Sequence, residues 1–209
     1  MTPTALIVVD SQNDFCTGPV AAARYRQDPA RLDAVTTNAA RAVDLARDRG
    51  IEVVFVRFVG DVEHQGPSWR RRNERNGWAP TCREGTWGAQ FHKVAPAPGE
   101  FVVTKKACFD AFLTAGFEEH LLRRGIEHLV FAGVYADVCL DSTARTAFQK
   151  GWHITLLVDC TTSLLQRDED TVRFMAELYG ARTTTHDHPD TWCDPLGRGD
   201  DRCSVTASN

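Results

Sequence analysis

Cysteines at metal-binding spacing are missing from this chain. Its seven cysteines (16, 82, 108, 139, 160, 193 and 203) include no CxxC pair. That spacing, with an odd count, excludes a zinc ribbon and a disulfide framework. Long apolar runs are missing too: none reaches the roughly 18–20 residues of a membrane-spanning helix. Positive charge is not in excess, because 24 Lys and Arg stand against 28 Asp and Glu, a net charge of −4. The chain therefore has no general attraction to nucleic acid or to an anionic membrane. No Gly-x-Gly-x-x-Gly follows a strand and no P-loop occurs, so no organic cofactor is expected. The start, Met1-Thr2-Pro3-Thr4, passes into an apolar run without a basic leader or cleavage site, and the expected location is cytoplasmic.

What is present is an ordinary globular balance, 43% hydrophobic and 25% charged residues over 209 positions, enough for one sizeable core. Runs rich in Val, Ile, Leu and Phe at 5–10, 51–58, 100–106, 128–134, 153–159 and 181–185 read as strands. Helical patterns at 30–49, 113–124, 139–150 and 168–179 alternate with them, and Gly50, Gly125, Gly151 and Gly180 follow as stop signals. Near-continuous apolar strands alternating with amphipathic helices predict a three-layer α/β/α domain with a six-stranded, mostly parallel, doubly wound sheet. Residues 59–99, with six glycines, four prolines and the basic run Trp69 to Arg75, are expected to form an irregular insertion serving as lid or interface. A loose tail is expected from about 187 to 209.

Three strand-like runs end in reactive side chains: Asp10 after Leu6-Ile7-Val8-Val9, Lys106 after Val102-Val103-Thr104, and Cys139 shortly after Leu129-Val130-Phe131-Ala132. Parallel strands gather such ends along one sheet edge, where open α/β folds bind ligands. A thiol at a helix N-terminus beside a cation tends toward the thiolate. Asp10 could then take the thiol proton and return it to a leaving group, while backbone N–H groups of the 135–139 loop meet an oxyanion. Singly, each residue has a plainer role: buried filler for Cys139, a helix cap for Asp10, a solvated charge for Lys106. Their joint placement at three strand ends favours chemistry. Phe15, Phe109 and Tyr135 neighbour the three in sequence and could wall a pocket for a planar amide.

The ordered set Asp10-x-Gln12-x-Asp14-Phe15, then Lys106 with Phe112 six residues on, then Gly133-Val134-x-x-x-x-Cys139 resembles the isochorismatase-like cysteine hydrolases. That superfamily includes nicotinamidases, N-carbamoylsarcosine amidases and ureidoacrylate amidohydrolases. The resemblance implies a triad of Asp10, Lys106 and Cys139. It also implies a cis peptide between Val134 and Tyr135, an oxyanion hole from the backbone of Tyr135 and Cys139, and a homodimer or homotetramer. It departs from nicotinamidases at Asp61-Val62-Glu63-His64, where the metal-binding spacing of Asp and His is lost, so no metal is expected. The expected activity is hydrolysis of a small-molecule amide, in a ureido or carbamoyl group among others, through an acyl-enzyme on Cys139. Gly133-Val134-Tyr135-Ala136 resembles the vinyl-ether-cleaving isochorismatases, and this leaves a pyruvate-releasing hydrolase as the alternative. A non-catalytic protein of the same fold is the second.

Overall fold

The computed structural model describes residues 2–192. In chain order the main elements are β1 (Thr4–Val9), α1 (Asn13–Cys16), α2 (Gly18–Arg24), α3 (Pro29–Asp48), β2 (Glu52–Val59), α4 (Pro67–Asn76) and β3 (Phe101–Lys106). After them come α5 (Phe117–Arg123), β4 (His128–Val134), a π-type turn at Ala136–Leu140, α6 (Asp141–Gln149), β5 (His153–Thr162), α7 (Asp168–Tyr179) and β6 (Arg182–Thr184). The strands form one six-stranded sheet in the order β3-β2-β1-β4-β5-β6, and every pairing is parallel. The order reverses between the neighbours β1 and β4, which places the switch point at the ends of these two strands. No described helix is long and apolar enough to cross a membrane.

Alternation along the strands divides the core into two layers. Leu6, Val8, Phe55 and Val130 meet Ala39, Ala42, Val43 and Ala46 of α3. Ile7, Val9, Val56 and Phe131 meet Leu121 of α5, Leu140, Ala144 and Ala147 beside and within α6, and Met175 of α7. The central strands are buried on both faces, as the near-continuous apolar runs require. Helix α3 begins where Asp28 accepts the Ala30 N–H at 2.9 Å and Pro29 occupies the first turn, a conventional start signal.

Three departures from the sequence reading have physical causes. The 59–99 stretch is less irregular than its composition suggests, because it holds the ten-residue helix α4 and two short 3-10 turns. Pro67 in its first turn and left-handed Gly77 just beyond its end are its boundary signals. It lacks an apolar stripe, so periodicity did not reveal it. The helix expected over 113–124 occupies Phe117–Arg123 alone, following a 3-10 turn capped by Asp110. Residues 187–192 are not loose: Trp192 is fully buried and its indole N–H donates to Thr185 O at 3.1 Å. The rest of the expected tail lies outside the described residues.

Gly133, on β4, is where β1 and β4 come closest to a clash. Its φ is +107°, and a Cβ there would stand 2.0 Å from Val9 O. Both the conformation and the space demand glycine. Gly133→Ala should lower the unfolding free energy by about 3 kcal/mol or more, read from urea denaturation, since backbone rather than a movable side chain must give way.

Candidate active site

The site is assembled at the carboxyl ends of β1, β3 and β4. Strict alternation would turn Asp10 toward the α3 face, but its backbone is left-handed with φ of 48°. That residue leaves strand geometry, and its side chain is fully buried beside Lys105. Lys105 Nζ donates to Asp10 Oδ2 at 2.8 Å and to Phe109 O at 2.9 Å, with both side chains essentially without solvent contact. Asp10 Oδ1 has no hydrogen-bond partner. This leaves one carboxylate oxygen for a proton donor.

The lysine expected in this place was Lys106, and that assignment is corrected to Lys105. On β3 the inward positions are Val103 and Lys105, paired across to Val56 and Phe58, while Lys106 is exposed. Val102 and Val103 are both apolar, so the face was ambiguous in the sequence. The parity of Val103 with Lys105 was the available signal.

Cys139 lies in the π-type turn that leads directly into α6, where Leu140 N donates to Tyr135 O, five residues back, at 3.2 Å. Single π turns of this kind are frequent at functional sites. The expected helix therefore starts with a widened turn, and the thiol is carried into the wall of the cavity. Cys139 is 6% exposed. The peptide between Val134 and Tyr135 is cis. Tyr135 OH donates to Phe15 O at 2.5 Å, and the two rings meet edge to face.

Electrostatics differ from the sequence expectation of a ready thiolate. Burial pushes the Cys139 thiol up, the Asp10 charge adds to this, and Lys105 opposes. Burial also raises the Asp10 carboxyl, with Lys105 pulling the other way. For Lys105 burial favours the neutral amine, but Asp10 and the sulfur outweigh it, and the ammonium is held above its ordinary range. The thiol is thus favoured over the thiolate, and the Lys105 ammonium is held against Asp10 beside it.

These groups open into a cavity of about 450 Å³, a size suited to a small organic molecule. Asp10, Cys139, Phe15, Phe109 and Tyr135 all line it, whereas Lys105 stands behind Asp10. Trp69 of α4 lines the cavity too, its ring 6.0 Å from Phe58 and 4.8 Å from Phe109. Trp78 also lines the cavity, but Trp87 is half exposed and does not.

Several supporting residues went unassigned in the sequence. Gln12 Nε2 donates to Phe58 O and Ala89 O, each at 2.9 Å, and its Oε1 accepts the Phe58 N–H at 2.6 Å. Asn13 Nδ2 donates to Trp87 O, and Asp14 accepts the Cys82 N–H at 2.7 Å. This polar run after β1 thus pins the 59–99 excursion over the sheet edge. Asp137 accepts three backbone N–H groups, from Leu164, Leu165 and Gln166, and so holds the loop after β5 at the cavity mouth. Asp61 accepts the Glu84 N–H at 2.8 Å and faces Arg83, so it braces a loop. Among the described residues the one close group of three potential metal donors is Asp159, Cys160 and His186, away from the cavity lining and already bonded to one another.

Fold and site together define a doubly wound α/β protein with a buried carboxylate–ammonium pair next to a thiol in a small-molecule cavity. The sequence profile of the isochorismatase domain matches residues 4–188, and the chain belongs to the isochorismatase family. It is 32% identical over 177 residues to the ureidoacrylate amidohydrolase RutB of Variovorax paradoxus, covering 77% of this chain and 69% of that protein. Among solved structures, an isochorismatase family protein from Desulfovibrio vulgaris matches with a TM-score of 0.78 at 24% identity over 91% of this chain and 98% of the other. N-carbamoylsarcosine amidase from Thermoplasma acidophilum matches at 0.74 and 23% identity, over 90% and 98%. Both structural likenesses concern the fold.

Proposed function

We propose that the protein hydrolyses the C–N bond of a small-molecule amide, in a ureido or carbamoyl group among others, with Cys139 as nucleophile and Asp10 as proton shuttle. The observation that carries this reading is the unpartnered Oδ1 of a buried Asp10 whose other oxygen is held by Lys105. The same cavity that Asp10 lines is lined by Cys139. Ureidoacrylate amidohydrolases, which act on a ureido compound by name, are among the relatives above 30% identity.

The chemistry follows from the resting charges. As the sulfur attacks the carbonyl carbon, its proton passes to Asp10 Oδ1, and the negative charge moves to the carbonyl oxygen. Backbone N–H groups of Tyr135 and Cys139 stabilise that oxyanion. Collapse expels the nitrogen, which takes the proton back from Asp10 and leaves as ammonia or an amine. Asp10 then removes a proton from water, the resulting hydroxide attacks the thioester, and the acid departs with Cys139 regenerated as thiol. Lys105 remains protonated throughout and stabilises the carboxylate. Phe15, Phe109 and Tyr135 provide apolar walls for the acyl part. The same reading takes the enzyme to be a cytoplasmic homodimer or homotetramer acting without a cofactor, and light scattering on the eluted protein measures the assembly.

The test is a panel of primary amides, ureido acids and isochorismate, with ammonia and pyruvate release followed in parallel. Ammonia from an amide or ureido compound supports the reading, and pyruvate from isochorismate alone overturns it.

A pH dependence follows as well. Asp10 must be ionised to accept the thiol proton, so kcat/KM falls as pH drops through the apparent pKa of the cluster. Burial raises that carboxyl. The acidic limb should therefore lie above the ordinary aspartate value of about 3.9. A kcat/KM profile, taken where near-ultraviolet circular dichroism shows an intact fold, checks this. A limb at or below that value would contradict it.

A further inference from the structure

Two arginines reach the cavity wall without an ion pair among the described residues. Arg72 of α4 lies over the Trp69 ring at 4.4 Å and the Trp78 ring at 5.5 Å. Arg24, the last residue of α2, lies over Trp78 at 5.1 Å. One indole is thus shared by two guanidinium groups, each half-buried and each lining the cavity that Cys139 lines.

Their hydrogen bonds are modest and neutral. Arg72 Nε and Nη2 both donate to Asn73 Oδ1, at 3.3 and 2.9 Å, and Asn73 is itself held by Gln65. Arg24 Nη2 donates to Ala79 O at 3.1 Å. Neither arginine forms an ion pair among the described residues, whereas Arg31, Arg47, Arg49 and Arg145, also half-buried, do. The carboxylates of the cavity are engaged elsewhere: Asp10 with Lys105, Asp14 with Cys82 N, and Asp137 with three backbone N–H groups.

Burial holds Arg72 below its usual range and the neighbouring Arg24 cation adds to this; burial also lowers Arg24, which the Asp14 carboxylate offsets only in part. Two like charges facing one partly desolvated space repel each other, and an anion between them relieves both costs. The three aspartates that share the cavity favour a singly charged anion over a doubly charged phosphate.

We propose that Arg24 and Arg72 form a carboxylate-binding subsite, so that the preferred substrates are amides or ureido compounds bearing a carboxylate away from the scissile C–N bond. This rests on the amide-hydrolase reading above. Planar guanidinium forks suit a planar carboxylate, and the aromatic walls formed by Trp69 and Phe109 suit a flat linker between the two ends.

The experiment compares carboxylates with their neutral methyl esters: 3-ureidopropionate, succinamate and benzoate, each against its ester. The first readout is protection of Cys139 from iodoacetamide, followed by mass spectrometry of the peptide that contains it. The second is kcat/KM for those probes that turn over. On the unaltered protein each carboxylate that binds should protect at least about tenfold more tightly than its ester, as one charge-assisted pair supplies. In Arg72→Gln and in Arg24→Gln that ratio should collapse toward one, with KM for the acid rising more than kcat falls. Either variant that keeps its thermal transition carries the result. Equal protection by acid and ester on the unaltered protein overturns the subsite, and so does a ratio unmoved in both variants. Acid-selective protection without any turnover retains the subsite and rejects the amidase, so the two failures are distinguishable.

Discussion

Cys139→Ala should lose amide turnover by about ten-thousand-fold or more while the protein stays folded. On the proposed mechanism the size of the loss follows from removing a nucleophile whose step no neighbouring group can replace. Cys16 and Cys82 are buried, and neither lines the cavity. The replacement itself is mild, since alanine leaves the side-chain space nearly filled and adds no polar group. Ammonia release under saturating substrate, with a denaturation curve on the same sample, checks both statements. Retained activity would instead mean that Asp10 protonates its substrate directly, as a vinyl-ether hydrolase requires. Cys139→Ser adds a finer comparison, because it keeps a similar shape but offers a much weaker nucleophile.

The second large effect separates two adjacent lysines. Lys105→Met leaves the Asp10 charge buried without its partner, and breaking such a pair costs about 3–5 kcal/mol. Part of that cost is avoided if Asp10 takes up a proton, which its raised pKa favours, so about 3 kcal/mol is the expected loss. A protonated Asp10 cannot accept the thiol proton, and turnover should fall about a thousandfold or more. Lys106→Met removes an exposed charge and should change stability by less than about 0.5 kcal/mol, with activity within about threefold. Chemical denaturation and steady-state rates of both variants provide the measurement. If Lys105→Met does not fold, the double change Asp10→Asn with Lys105→Met removes both charges and should recover stability without recovering turnover. Equal effects of the two single changes would refute the assignment of Lys105.

Much of the architecture was legible because burial on both faces leaves a simple trace. Leu6-Ile7-Val8-Val9 and Leu129-Val130-Phe131-Ala132 can only be central strands of a covered parallel sheet, and glycines after the helices marked their ends. Asp10 and Cys139 could be picked out because each follows such a run immediately or within a short loop. Three in-order motifs made the family recognisable, and the match to residues 4–188 agrees with that recognition. The helix α4 was illegible because its ten residues carry almost no apolar stripe: it packs through the polar, buried Asn73 and the partly buried Trp69.

Local pattern was therefore enough for the strand order's class, the positions of the acid and the thiol, and the family. Folding settled what a single dimension leaves degenerate. Which of Lys105 and Lys106 faces Asp10 depends on the pleat of β3 against β2, and one residue of register exchanges a buried ammonium for a solvated one. Whether Cys139 rests as thiol or thiolate depends on how much water the closed site admits, and burial there outweighs the nearby cation. The convergence of Arg24 and Arg72 on one indole joins residues 48 positions apart, and only the packing of α2 against the 59–99 excursion brings them together.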